Sequence, residues 1–185
     1  MSTWDNYLDV LLRRLAPYYD VYKNETIAGK NLDLFARFKM RNEKYFFTKS
    51  VTLFAYENHE LVLIKKIKEV TLAEAEQFCA YIEKAVAELA QPGDEHMSTV
   101  VTGVLVATDN ITPEGRRIIE RFRYARSFKF LLQGWCQARL LAVDLTAHEV
   151  YTNKSGRAVK EAYCPPVRKG AQEGTLPAST YSVSG

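Results

Sequence analysis

The sequence has few of the residues that announce a chemistry. Its three cysteines, Cys79, Cys136 and Cys164, are odd in number, widely spaced and include no CxxC pair. That argues against a disulfide framework or a cysteine zinc site and predicts a reducing compartment, the cytoplasm. The three histidines, His59, His96 and His148, show no HExxH, HxH or HxxxH spacing, so no ready-made imidazole pair awaits a metal. GxGxxG, the P-loop pattern and the GxSxG elbow are all missing, which leaves nucleotide cofactors and esterase nucleophiles without footing. No apolar run approaches the roughly 20 residues of a spanning helix. The stretch Trp4-Asp5-Asn6 has no basic segment leading into an apolar one, so no signal peptide or membrane partner is expected. A net charge of +3 is too small to imply nucleic-acid binding unless the cations cluster.

What is present is a run of period-2 and period-3.6 patterns. Leu32, Leu34, Ala36, Phe38 and Met40 alternate with Asp33, Phe35, Arg37 and Lys39 as in a half-buried strand. The turn Arg41-Asn42-Glu43-Lys44, the aromatic run Tyr45 to Tyr56, the turn Glu57-Asn58-His59-Glu60 and the run from Leu61 to Ile64 complete an expected antiparallel meander. Ahead of it, Trp4, Tyr7, Leu8, Leu11, Leu12 and Leu15 recur at helical spacing up to Pro17, with Arg13 and Arg14 on the wet face, and Tyr18 to Tyr22 suits a short strand.

After the meander, Thr71-Leu72-Ala73-Glu74 is a capping box, and the apolar stripe from Ala75 to Leu89 predicts a helix across one sheet face. Thr99 to Ala107 is apolar on both alternating faces, the pattern of a strand covered on each side. Thr112 followed by Pro113 opens a second helix whose Ile118, Ile119 and Phe122 point inward. Phe128 to Leu132 reads as a brief strand, and Ala138 to Val143 with Glu149 to Thr152 as a closing hairpin. The expected fold is α+β: a mixed, mainly antiparallel sheet of meander, buried strand and C-terminal hairpin with helices packed on it, one domain over residues 1–163 and a Pro/Gly/Ser-rich tail over 164–185.

Two groups of polar residues carry functional expectations. The first is basic: Arg116, Arg117, Arg121, Arg123, Arg126 and Lys129 fall in and just after the second long helix, with Lys154 and Arg157 in a later turn and Arg139 and Lys160 adding charge. Arginine with nearby Tyr124, Phe128 and Phe130 suits phosphate or carboxylate recognition, so a nucleic acid or an acidic protein is the expected partner of a non-enzymatic binding module with no cofactor or resident metal. The competing structural explanation is a solvated helix face balanced by Glu74, Glu76, Glu83 and Glu88 on the neighbouring helix.

The second group is Asp33, Glu57, His59, Glu60 and Lys65, carboxylates and an imidazole of the types used in metal-assisted or acid–base hydrolysis. Asp33, then Lys65 and Lys66, then Gln77-Phe78-Cys79-Ala80-Tyr81 follow an order that resembles the PD-(D/E)xK nuclease family. There an Asp on one strand and an acid-x-Lys on the next hold magnesium, with QxxxY on the following helix in some members. The resemblance implies a divergent metal-dependent hydrolase, but the positions two before Lys65 and Lys66 hold Leu63 and Ile64 where the family has an acid. Over residues 3–163 the chain also resembles uncharacterised bacterial proteins of unknown function, through Phe54-Ala55-Tyr56-Glu57-Asn58-His59-Glu60 and Thr112-Pro113-Glu114-Gly115-Arg116-Arg117. That resemblance implies no activity. A homodimer through the aromatic meander or the tail is a third expectation.

Overall fold

Ser98 to Ala107 are ten consecutive residues without one exposed side chain, and they open the strand at the middle of the sheet. In the computed structural model, residues 3–38, 58–89, 98–127 and 135–166 are described. Within them the chain makes helix α1 (Thr3–Leu15), strands β1 (Tyr19–Lys23), β2 (Thr26–Ile27), β3 (Lys30–Asn31), β4 (Leu34–Phe38) and β5 (Asn58–Val70), then helix α2 (Leu72–Leu89). Strand β6 (Ser98–Ile111), helix α3 (Pro113–Arg121), strands β7 (Ala125–Ser127), β8 (Trp135–Asp144) and β9 (Glu149–Thr152), and a 3-10 helix (Ser155–Tyr163) follow.

Strands run in the order β1-β4-β5-β6-β8-β7, with β9 also on β8 and β2-β3 forming a separate hairpin. The centre is parallel: β5 lies along β6 from Asn58↔Ser98 to Val70↔Ile111, and β6 along β8 from Thr99↔Cys136 to Ala107↔Asp144. Both crossovers carry a helix, as parallel neighbours require. The flanks are antiparallel, with Tyr19↔Phe38 joining β1 to β4 and Leu34↔Ile64 joining β4 to β5. The sheet is therefore mixed and the fold α+β, with helices on both faces.

The two faces divide by residue parity, as a pleated strand dictates. Val62, Ile64, Val104, Val106, Leu141 and Val143 pack against Trp4, Tyr7, Leu11 and Leu15 of α1. Leu61, Leu63, Val101, Leu105, Ala138 and Leu140 face Phe78, Ile82, Ala85 and Val86 of α2 and Ile119 of α3. Among the described residues no helix is long and apolar enough to cross a membrane.

Local signals explain where the helices begin. Thr71 Oγ1 accepts from the Glu74 amide at 3.3 Å, capping α2, and Thr112 Oγ1 accepts from the Gly115 amide at 3.1 Å, capping α3 ahead of Pro113. Gly115 is required at its place. A Cβ there would lie 2.3 Å from the Val70 carbonyl oxygen, so only glycine lets the first turn of α3 seat against the end of β5.

The meander differs from the sequence expectation. β4 pairs directly with β5, and the third antiparallel strand is β1 on the outer side of β4. Tyr45 to Tyr56, expected between them, lies outside the described residues, as does the expected strand Phe128 to Leu132. β5 also continues through Lys65 to Val70, because β6 offers it a full-length parallel partner. Arg14 is not merely on a wet face: its guanidinium donates to the carbonyls of Ala162 and Cys164 at 3.0 and 2.6 Å, tying α1 to the end of the 3-10 helix.

Candidate anion-binding groove

The free edge of β8 is divided. β7 pairs with its first residues (Arg126↔Cys136) and β9 with its last (Val143↔Val150), leaving a gap around Ala138 to Leu140. Asn153, fully buried, fills that gap with its side chain. Its Oδ1 accepts from the Leu140 amide at 3.1 Å and the Gly156 amide at 2.9 Å. Its Nδ2 donates to the carbonyls of Ala138 at 3.4 Å and Phe122 at 3.3 Å. One side-chain amide thus joins the exit of α3, the sheet edge and the first turn of the 3-10 helix.

Beside it, α3, β9 and the 3-10 helix wall a groove of about 670 Å³. Arg116 and Glu120 of α3, Glu149, Tyr151 and Thr152 of β9, and Arg157 and Lys160 of the 3-10 helix line it. Arg116 and Glu120 are one helical turn apart, and Nε–Oε1 is 2.9 Å. The guanidinium lies 4.3 Å from the centre of the Tyr151 ring, a cation–π contact that holds its plane. Tyr151 in turn donates its hydroxyl to the Glu149 carboxylate, two residues away on the same strand face. That carboxylate raises the Tyr151 phenol above its ordinary range, and Glu120 raises the Arg116 guanidinium, which stays charged at every accessible pH. Arg157 and Lys160 are three apart, and a 3-10 helix with three residues per turn eclipses them on one side. The result is three cations from two elements with two carboxylates among them.

The arginine cluster read from the sequence is thus split. Arg116 and Arg157 enter the groove. Arg117 and Arg121 are exposed elsewhere on α3. Arg123 donates to the carbonyls of Glu120 and Phe122 at 3.2 and 3.0 Å and closes the helix C-terminus, while Arg126 sits 5.7 Å from the Tyr124 ring centre. Lys154 is exposed at the start of the 3-10 helix, and Lys129 lies outside the described residues. The carboxylate beside Arg116 comes from its own helix rather than from the acidic face of α2, where Lys84 pairs with Glu88 at 3.6 Å. Lys160, counted in the sequence only as background charge, is a lining residue; its i,i+3 spacing from Arg157 was the available signal.

Arg139 is a correction. It adds nothing to a surface: its side chain is 6% exposed and donates to Glu60 Oε1 at 2.8 Å. Burial, with the Glu60 carboxylate alongside, raises the Tyr19 phenol, and Tyr163 is raised for the same reasons.

Among the described residues of the hydrolase set, Asp33 and Lys65 meet, and Glu60 stands apart from them. Asp33 precedes β4; its carboxylate accepts from the Lys66 amide at 2.8 Å and pairs with Lys65 Nζ at 3.2 Å. Glu60 lies four residues back from Ile64 along β5, about 13 Å away at strand rise, and is held by Arg139. His59 is half-buried beside Glu60, and Glu57 is outside the described residues. Leu63, in the position of the nuclease acid, is fully buried against the α2 layer. Asp33 alone, already engaged by Lys65 and Lys66, does not fit a magnesium ion that needs several oxygen ligands. Among the described residues no three His, Cys, Asp or Glu side chains group to hold a metal. The expected QxxxY pair separates as well: Gln77 is exposed, whereas Tyr81 is buried and donates to the Ile27 carbonyl at 3.1 Å, anchoring the β2-β3 hairpin. Cys79 packs against the core, and burial, with Glu83 and Glu76 nearby, pushes its thiol up to about 12.

No curated protein and no solved structure gives a significant match. A family model matches residues 4–165, nearly all of the described chain, and the protein belongs to that family, a domain of unknown function (DUF8052).

Proposed function

We propose that this domain is a non-enzymatic binding module of a reducing compartment, the cytoplasm, and that its groove between α3, β9 and the 3-10 helix takes an anionic partner, a nucleic acid or an acidic protein. The observation that carries this reading is the convergence of Arg116, Arg157 and Lys160 on one concavity, with Arg116 pre-oriented by Tyr151 and Glu120. A fixed guanidinium loses little freedom on binding, which favours bidentate contact with phosphate or carboxylate. Cys79, Cys136 and Cys164 are free thiols, which suits such a compartment.

The test is a titration of single-stranded and double-stranded oligonucleotides and of polyglutamate against wild type and an Arg157→Glu/Lys160→Glu variant. Three phosphate contacts imply affinity falling about 20- to 40-fold between about 50 and 200 mM salt. Charge reversal should abolish binding without changing the melting temperature, since both side chains are exposed. Polyanion binding that persists in the variant would place it outside the groove, and binding that is absent would rule out a nucleic-acid or acidic-protein partner.

A second reading, a divergent metal-dependent hydrolase, is favoured by one contact, Asp33 with Lys65 on adjacent strands ahead of α2. Among the described residues no second acid stands beside Asp33, so the groove reading stands ahead of it.

A further inference from the structure

The character of the groove points to a small ligand in place of a polyanion, and this rests only on the proposed anion recognition by Arg116, Arg157 and Lys160. About 670 Å³ falls within the roughly 300–1,000 Å³ of small-molecule sites, and three elements line it as an open cleft rather than a ridge. A nucleic-acid strand is repeatedly charged along its length. Laid through this groove it would set phosphates against Glu120 and Glu149 as well as against the three cations. The ring of Tyr151 offers no open stacking platform on the side Arg116 covers at 4.3 Å, so the usual partner of an unpaired base is taken there.

The same groups suit a compact ligand with one anionic end and a hydrogen-bonding body. Arg157 and Lys160 project together from the 3-10 helix, and the outer edge of Arg116 stays available because only its Nε is engaged by Glu120. A single phosphate bridging them meets charge from two sides. Each carboxylate spends one position on a fixed neighbour, Glu120 on Arg116 and Glu149 on Tyr151, and has further lone pairs for ligand hydroxyls. We infer that the groove binds a small phosphomonoester with a hydroxylated body, a sugar phosphate in chemical class, its phosphate on Arg116, Arg157 and Lys160 and its hydroxyls on Glu149 and Glu120.

Calorimetry on the full chain with ribose 5-phosphate, inorganic phosphate, ribose and a 12-nucleotide oligothymidylate decides it. Ribose 5-phosphate should bind at least about tenfold more tightly than inorganic phosphate, the gain expected from one or two hydroxyl–carboxylate hydrogen bonds. Glu149→Ala should collapse the tenfold ratio between ribose 5-phosphate and inorganic phosphate affinities towards one, whatever it does to either affinity alone, and an unchanged ratio would overturn the assignment of the hydroxyls to Glu149. If oligothymidylate binds and ribose 5-phosphate does no better than phosphate, this inference falls and the broader binding reading survives. If none of the four binds, this inference falls, and the polyglutamate titration alone decides the broader reading.

Discussion

Asn153→Ala is expected to lower the unfolding free energy by about 3 kcal/mol or more, and the melting temperature by about 6–12 °C. Four hydrogen bonds end on this one buried amide, and alanine leaves the amides of Leu140 and Gly156 and the carbonyls of Ala138 and Phe122 without it. A buried polar group stripped of its partner costs about 1–3 kcal/mol, and these cluster where β7 and β9 leave the edge of β8 uncovered. The loss reaches the groove as well. Gly156 begins the turn that carries Arg157 and Lys160, so their positions relative to Arg116 depend on Asn153. Chemical denaturation of the variant measures the first effect. A loss below about 1 kcal/mol would mean that water replaces the amide and that the edge does not depend on it.

Arg139→Met should cost about 3 kcal/mol, because it leaves Glu60 beside Tyr19 and Tyr163 with its counter-charge gone. The double variant Glu60→Leu/Arg139→Met should recover much of that loss, since a buried pair is often replaceable as a pair. A double-mutant cycle therefore gives a coupling of about 2 kcal/mol, discounted because the Glu60 side chain is 21% exposed. Strict additivity would show that the two side chains touch without depending on each other.

These two residues also mark where sequence reasoning stops. Short-range signals were legible: the α1 stripe from Trp4 to Leu15, the Thr71 and Thr112 caps, and the doubly buried run in β6 all appear where pattern places them. Each depends on neighbours within a turn or two. The β8–β9 hairpin was legible for the same reason. Long-range pairing was not. Nothing in Leu34 to Ile64 announces that β4 and β5 meet directly, nor that β5 lies parallel to β6, because register is decided by partners tens of residues away. Arg139 looked like surface charge because its partner Glu60 is 79 residues distant. A lone arginine inside the apolar run Ala138 to Val143 was the one hint that it is buried.

The groove was half legible. Arg116 and Arg157 stood out as cations, but Tyr151, Glu149 and Lys160 gain their meaning only when α3, β9 and the 3-10 helix close around one space. Arginines that seemed equivalent in sequence take separate duties for a geometric reason. Arg116 points along the face that meets β9, while Arg123 lies past the last turn, within reach of the carbonyls at the helix end.

The most direct measurement is a phosphate titration followed by amide chemical shifts across the chain. If the groove is the working surface, shifts concentrate at Arg116, Tyr151, Thr152, Arg157 and Lys160 and saturate together with one dissociation constant. If those amides stay still while shifts scatter over Arg117, Arg121 and the other exposed cations, the groove is an ordinary surface hollow and the binding reading is wrong.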